Sequence, residues 1–295
     1  MKRTSFVFAL AASFCLSCWA VPADAYERGR PWLSDQPWEK LGVDIGFFLT
    51  NFTSDVSLTG SGAGVVLNLE DMLGLDATTY QFRIAGHYRM WRRHHLHFTF
   101  YDLSRDADQF LEAAIPGVDP GDDPIAEAGA LVESNLDIRI YKIGYTFSFW
   151  NDSRVDLGAG LGFHVMDLGA GIKVLAEGSV GGEEGKTKKK LLAEGTTLPL
   201  PVLMLRGNVA ITKRVFLKQS FEVFYISLSG FDGLLLDANI AVEGHVCRFF
   251  GLGMGFNFLQ VEIEGDGGDG FLGGGWSGKL NFDYSGLHIY GKFFF

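Results

Sequence analysis

Apolar and polar residues alternate along most of this chain with a period of two. Over residues 79–90, Tyr80, Phe82, Ile84, Tyr88 and Met90 share one face, and Gln81, Arg83, His87 and Arg89 share the other. Over 154–165, Val155, Leu157, Ala159, Leu161, Phe163 and Val165 oppose Arg154, Asp156 and His164, with Gly158, Gly160 and Gly162 on the polar side. Over 234–246, Leu236, Ala238, Ile240, Val242 and Val246 oppose Asp237, Glu243 and His245. This is the side-chain period of a β-strand. It predicts ten strands, near 40–50, 78–90, 95–104, 133–150, 153–173, 195–211, 215–228, 234–246, 251–264 and 277–295. Tight connections at 91–95, 151–153, 212–214 and 247–251 alternate with mostly longer, polar ones at 51–77, 103–132, 175–193, 229–233 and 265–276. A closed antiparallel sheet would collect the tight turns at one rim, with both termini, and the long loops at the other. The alternation changes phase between Ile140 and Ile143 and again after Phe258, where bulges are predicted. Residues 62–76 read as extra strand or a short helical turn over the barrel mouth, and 105–115 as a short amphipathic helix.

Alternation suits a water-soluble sandwich with its apolar face inward, or a membrane barrel with its apolar face outward. The apolar faces carry large residues on nearly every strand, with Phe and Tyr near strand ends as in aromatic girdles. Many strands exceed the ~9–11 residues that cross a bilayer. The opposite faces mix both signs of charge with glycine. Turning Arg83 or Arg89 toward lipid would cost up to ~2–4 kcal/mol each near the midplane, and closure removes backbone edges that lipid cannot satisfy. The expected fold is therefore all-β: a closed antiparallel transmembrane β-barrel of about ten strands, with eight and twelve as the neighbouring even counts.

The front end agrees with export. Lys2 and Arg3 precede an apolar run over 6–20 and an Ala23-x-Ala25 site, the layout of a secretory signal peptide. The division expected is signal peptide 1–25, periplasmic segment 26–40 and outer-membrane barrel 41–295. Losing Lys2, Arg3 and Asp24 makes the formal charge of -10 one unit more negative. Such a chain has no basic patch for nucleic acid, so no nucleic-acid partner is expected. Only Cys247 remains beyond the signal, which excludes internal disulfides and cysteine-based zinc sites.

The polar face supplies the main candidate site, a charged interior of Arg83, His87, Arg89, His97, Asp137, Arg139, Arg154, Asp156, His164, Arg206, Lys218, Glu222, Asp237, Glu243 and His245. It reads either as a salt-bridged plug or as a pore lining. Barrels of about eight strands are filled by side chains and aqueous channels need about sixteen, so ten strands favour the plug. A hydrolase would need a nucleophile and base held by a third group. The only local pairings are His164 with Asp167 and Ser104 with Asp102, so no enzyme is expected. No motif calls for a cofactor or metal. The Asp- and Gly-rich stretch at 264–275 lacks the ligand spacing of an EF-hand. "KTKKK" at 186–190 offers ammonium groups to lipopolysaccharide phosphates near the loop rim. Nothing in the pattern specifies an oligomeric state.

Two resemblances sharpen this. "DMLGLD", "HHLHFTFYDLSRD", "DIRIYKIGYTFSF" and "LGFHVMDLGAGI" together resemble uncharacterised proteobacterial outer-membrane β-barrel proteins over most of 70–175. That implies the fold and the bacterial outer membrane, and carries no catalytic residues. The chain closes on "HIYGKFFF", with Leu287, Ile289, Phe293 and Phe295 on one face. This resembles the signal that outer-membrane barrels present to their assembly machinery, with Phe293 and Phe295 as its readable positions and Gly291 one place later than the glycine usual there. The function expected is a non-catalytic barrel with a structural or surface-interaction role. The alternatives are a narrow passive channel for small solutes, or a barrel hydrolase acting on lipid or peptide. The terminal strand is expected to pair with the first near 43–49.

Overall fold

The computed structural model describes residues 38–58, 65–112, 114, 128–178, 185–228, 231–266 and 277–295. The expected signal peptide, most of the 26–40 segment and the glycine-rich stretch of 267–276 lie outside them. Ten long antiparallel strands close on themselves: β1 (Leu41–Leu58), β3 (Thr78–Trp91), β4 (His94–Phe110), β5 (Leu131–Asn151), β6 (Val155–Gly178), β7 (Gly185–Ala210), β8 (Val215–Leu228), β9 (Phe231–His245), β10 (Phe250–Asp266) and β11 (Ser277–Phe294). Neighbours in sequence are neighbours in the wall. β11 closes the barrel against β1, with Val43 opposite Phe293 and Leu49 opposite Leu287. The short β2 (Val65–Asn68) pairs with the loop-side end of β1, and helix α1 (Leu69–Leu73) follows it. No helix among the described residues is long and apolar enough to cross a membrane.

The two predicted bulges are not where the phase slips lie. Pairing of β5 with both neighbours runs without interruption from Leu131 to Phe147, and that of β10 from Gly251 to Gly265. The chemistry of the two faces inverts instead, partway up the wall. Near the tight turns, β5 points Ile143, Phe147 and Phe149 outward and Lys142, Thr146 and Ser148 inward. Near the long loops, Ile138 and Ile140 point inward and are almost fully buried, while Asp137 and Arg139 point outward. β10 turns from outward Leu252 and Met254 to inward Leu259, Val261 and Ile263, with Gln260, Glu262 and Glu264 outside. β11 does the same, with outward Leu287, Ile289 and Phe293 followed upward by inward Tyr284 and Phe282.

The medium outside explains this. Where lipid is outside, apolar residues face out and the polar ones must satisfy one another inside. Where water is outside, burial of apolar surface drives the ordinary inward arrangement. The barrel is thus membrane-type below and soluble-type above. Its strands have the length for both: β6 has 24 residues and β7 has 26, more than twice the ~9–11 needed for a bilayer. Genuine register shifts occur elsewhere, at Arg89/Trp91, Ser148/Trp150 and Leu168/Ala170.

The upper lumen is a continuous apolar core that includes Phe48, Phe52, Tyr101, Leu103, Ile138, Ile140, Met166, Leu235, Leu259 and Tyr284. α1 closes it, with Leu69, Leu73 and Leu75 packed into the core. Asn68 caps the helix by accepting from Asp71 N–H at 2.8 Å, and Gly74 ends it in the left-handed region at φ 70°, where glycine carries no Cβ penalty. Arg105 pins this cap from below. Its guanidinium donates to Glu70 Oε1 at 2.6 Å and Ser54 Oγ at 2.8 Å, and lies 4.4 Å from the Phe52 ring centre. Residues 105–110 are therefore strand rather than the helix expected over 105–115, because Arg105 and Leu111 fill the interior and Asp106 and Asp108 face water.

Candidate functional site

The lower lumen holds the polar side chains that the lipid-facing belt excludes. Six carboxylates (Glu39, Asp44, Asp156, Glu222, Asp237, Glu243) and six bases (Arg83, Arg89, Lys142, Arg206, Lys218, Lys292) line it, equal numbers of each sign. The chain has seven histidines. All except His94 face this interior.

At the tight-turn end the chain enters the lumen ahead of β1. Trp38 packs on Phe216, donates its indole N–H to Asp152 O at 2.8 Å, and accepts from Arg89 through its carbonyl. Glu39 reaches inward to Lys292 Nζ at 3.2 Å and His245 Nε2 at 3.1 Å. Burial alone would raise the Glu39 pKa, but the ammonium groups of Lys218 and Lys292 outweigh it and hold the carboxyl well below the usual carboxylate range. Glu243 takes Lys218 at 2.6 Å, Lys292 at 2.9 Å and the Tyr290 hydroxyl at 2.8 Å. Glu39, Glu243 and His245 bring ligand-type atoms within 4.8 Å of one another. Two lysines already sit on those carboxylates and supply the positive charge that a metal would bring.

In the middle, Arg206 donates to Asp156 Oδ2 at 2.8 Å and to Ser148 Oγ at 2.9 Å, and Ser148 Oγ lies 3.1 Å from His95 Nε2. Serine, histidine and aspartate meet here without forming a relay. Asp156 approaches the same ring nitrogen as Ser148, at 3.9 Å, whereas a relay needs it on the other one. His97 bonds Thr146 Oγ1 at 2.9 Å and stacks on His95.

At the top, Glu222 lies between His164 and Lys142, and Lys142 is also bonded to Asp237. Asp237 accepts from Asn257 Nδ2 at 2.9 Å, Asn257 Oδ1 accepts from the Tyr284 hydroxyl at 3.0 Å, and Tyr284 lies 2.7 Å from the Tyr101 hydroxyl. This hydrogen-bonded row spans the barrel where its polar half meets the apolar core. Bulky members fit because glycines face them. A Cβ at Gly253 would come within 2.2 Å of the Tyr290 ring. Between floor and ceiling lies a cavity of about 170 Å³.

Of the residues anticipated from sequence, Arg83, His87, Arg89, His97, Asp156, His164, Arg206, Lys218, Glu222, Asp237, Glu243 and His245 face this lumen. Arg154 lies in the tight turn between β5 and β6, its N–H donating to Asp152. Asp137 and Arg139 are corrected. They stand on the outer wall above the belt, Arg139 3.7 Å from Asp102, because the face inverts and no bulge turns them inward. His164 and Asp167 lie on opposite faces of β6, and the Ser104–Asp102 pair (3.0 Å) is on the outer wall, where Asp102 also meets Arg139. Glu39, Asp44, His95 and Lys142 were not anticipated. Lys142 and His95 share the parity of inward Thr146 and His97, which was the available signal. Phe293 and Phe295 are exposed at the outer rim, while Phe294 turns inward and stacks on His245. The lysines of 186–190 lie in β7, with side chains outside the described residues.

No protein-family model matches the chain, and no curated protein matches it. Among solved structures it is similar to the outer membrane protease OmpT from Escherichia coli, at 9% identity and a TM-score of 0.53, over 90% of this chain and 99% of that one. It is also similar to the toluene transporter TodX of P. putida (10% identity, TM-score 0.33, 91% and 94% covered) and to Ail, the attachment invasion locus protein of Yersinia pestis (9%, 0.31, 86% and 99%). At these identities the likeness to OmpT speaks for the fold alone: a closed ten-stranded antiparallel barrel of the outer-membrane type.

Proposed function

We propose that the protein is a plugged barrel of the bacterial outer membrane, non-catalytic, acting through the wall and loops that rise above the lipid. The observation that carries this is the blocking of the lumen at successive levels. Trp38 and Glu39 stand at the floor, paired charges occupy the middle, and an apolar core under α1 forms the top. An ion passing upward would leave a balanced polar network and enter a layer that offers no hydration. Purified protein in a planar bilayer is expected to be silent at all voltages; steady unitary conductance would favour the narrow-channel reading instead. The polar outer wall of Asp102, Asp137, Arg139 and Glu262 supports a surface facing water and lipopolysaccharide headgroups.

The C-terminal strand supports recognition by barrel assembly machinery. Phe295 accepts from Lys40 N–H at 2.9 Å and donates to Leu41 O at 2.9 Å, so the terminus sits in the closing seam with its ring outside. Deleting Phe295 is expected to lower the amount of heat-modifiable barrel in outer membranes several-fold. An unchanged amount would remove the signal reading.

A further inference from the structure

The lumenal charges are not all paired directly. Asp44 and Arg83 both line the cavity, yet among the described residues neither side chain makes a hydrogen bond or an ion pair, and Asp44 Oδ1 is buried without a donor although Lys292 stands opposite Asp44 on β11. They stand on adjacent strands two residues out of register. Asp44 is opposite Ala85, and Arg83 is opposite Gly46. Ala85, between them on the inner face, also lines the cavity. Thr99, Asn239 and Asn257 also line it, beside charges that already have partners, among them Lys142, Glu222 and Asp237.

We propose that this cavity binds a small zwitterion of the α-amino-acid class, its carboxylate on Arg83 and its ammonium on Asp44. Charge balance selects that class. The other lumenal carboxylates and most of the bases already have direct partners, so a simple anion or cation would bring an uncompensated charge into a low-dielectric interior. A zwitterion adds no net charge and satisfies both unpaired groups at once. Guanidinium and carboxylate match in planar, bidentate geometry. Size narrows the class further, because about 170 Å³ is below the ~300 Å³ at which drug-sized sites begin. The smallest amino acids fit and the aromatic ones do not. The inference goes beyond the plugged-barrel reading, since a dead-end site needs no conduction.

The test is equilibrium dialysis of the full barrel in detergent with labelled glycine, acetate, methylammonium and tryptophan. Saturable glycine binding is expected, with acetate, methylammonium and tryptophan each at least tenfold weaker. Arg83→Gln and Asp44→Asn should each weaken glycine at least tenfold, and the gel shift on boiling shows that each variant is a closed barrel. Arg83→Lys serves if Arg83→Gln fails to close, and should weaken glycine by a smaller factor. Acetate bound as tightly as glycine would overturn the proposal in favour of an anion site. Absence of glycine binding to the unmodified barrel, or binding unchanged in both variants, would overturn it outright. None of these outcomes depends on whether the barrel conducts.

Discussion

Lys142→Met is expected to destabilise the barrel by about 3–5 kcal/mol, the cost of removing one partner from a buried ion pair. Lys142 stands between Asp237 and Glu222, and all three are largely withdrawn from solvent. Methionine keeps the stem and removes the charge, so two carboxylates lose their shared cation and the Tyr101 ring loses the ammonium 5.5 Å from its centre. Glu222 retains His164, and Asp237 retains the Asn257 amide. The deficit therefore falls mainly on Asp237, and Lys142→Met with Asp237→Leu should recover more than half of it, because an apolar pair of similar volume often replaces a buried ion pair at little cost. Denaturant unfolding in detergent, followed by tryptophan fluorescence, measures both. A loss under about 1 kcal/mol would mean a solvated pair and would undercut the plugged lumen, since only a water-filled interior screens these charges so well.

Much of the fold was legible because a sheet's side-chain period leaves a strong trace. Alternation located all ten barrel strands, and turn lengths sorted the rims. The pairing of the terminal strand with the first near 43–49 followed from an even count and a closed sheet. Part of the lumen's membership was legible from strand parity, as at Arg83, His164 and Glu243, while Asp44, His95 and Lys142 were passed over. The level at which the outer medium changes was not. A one-residue slip and an exchange of solvent leave the same mark, since either moves apolar residues from odd to even positions. Reading the slip at 140–143 as a bulge put Asp137 and Arg139 inside and hid Lys142. Glu39 was missed for another reason: it belongs to no strand, so no periodicity points to it. Asp44 and Arg83 were visible as polar positions, but that neither finds a direct partner depends on a two-residue offset between strands.

The inversion itself makes the other large prediction. Ile140→Asp is expected to cost about 4 kcal/mol or more, or to abolish closure. It removes a fully buried branched side chain, worth about 2–5 kcal/mol for large-to-small changes, and places a carboxylate where no donor reaches it. Its surroundings are the apolar core that contains Tyr101, Leu103 and Met166. Arg139→Leu, one residue away on the outer wall, is expected to change stability by less than about 0.5 kcal/mol, because its contact with Asp102 is long and half-exposed. A bulge would reverse the order: Ile140 would face outward near the rim of the belt, where a charge costs only about 0–1 kcal/mol, and Arg139 would be a lumenal charge whose loss strands a carboxylate. Ile143→Lys calibrates the series. It points outward in the belt under either arrangement and should cost up to about 2–4 kcal/mol in bilayers. Unfolding of the three variants in lipid vesicles, compared side by side, reads the order directly. A mild Ile140→Asp beside a severe Arg139→Leu would return the bulge and remove the apolar ceiling from the lumen.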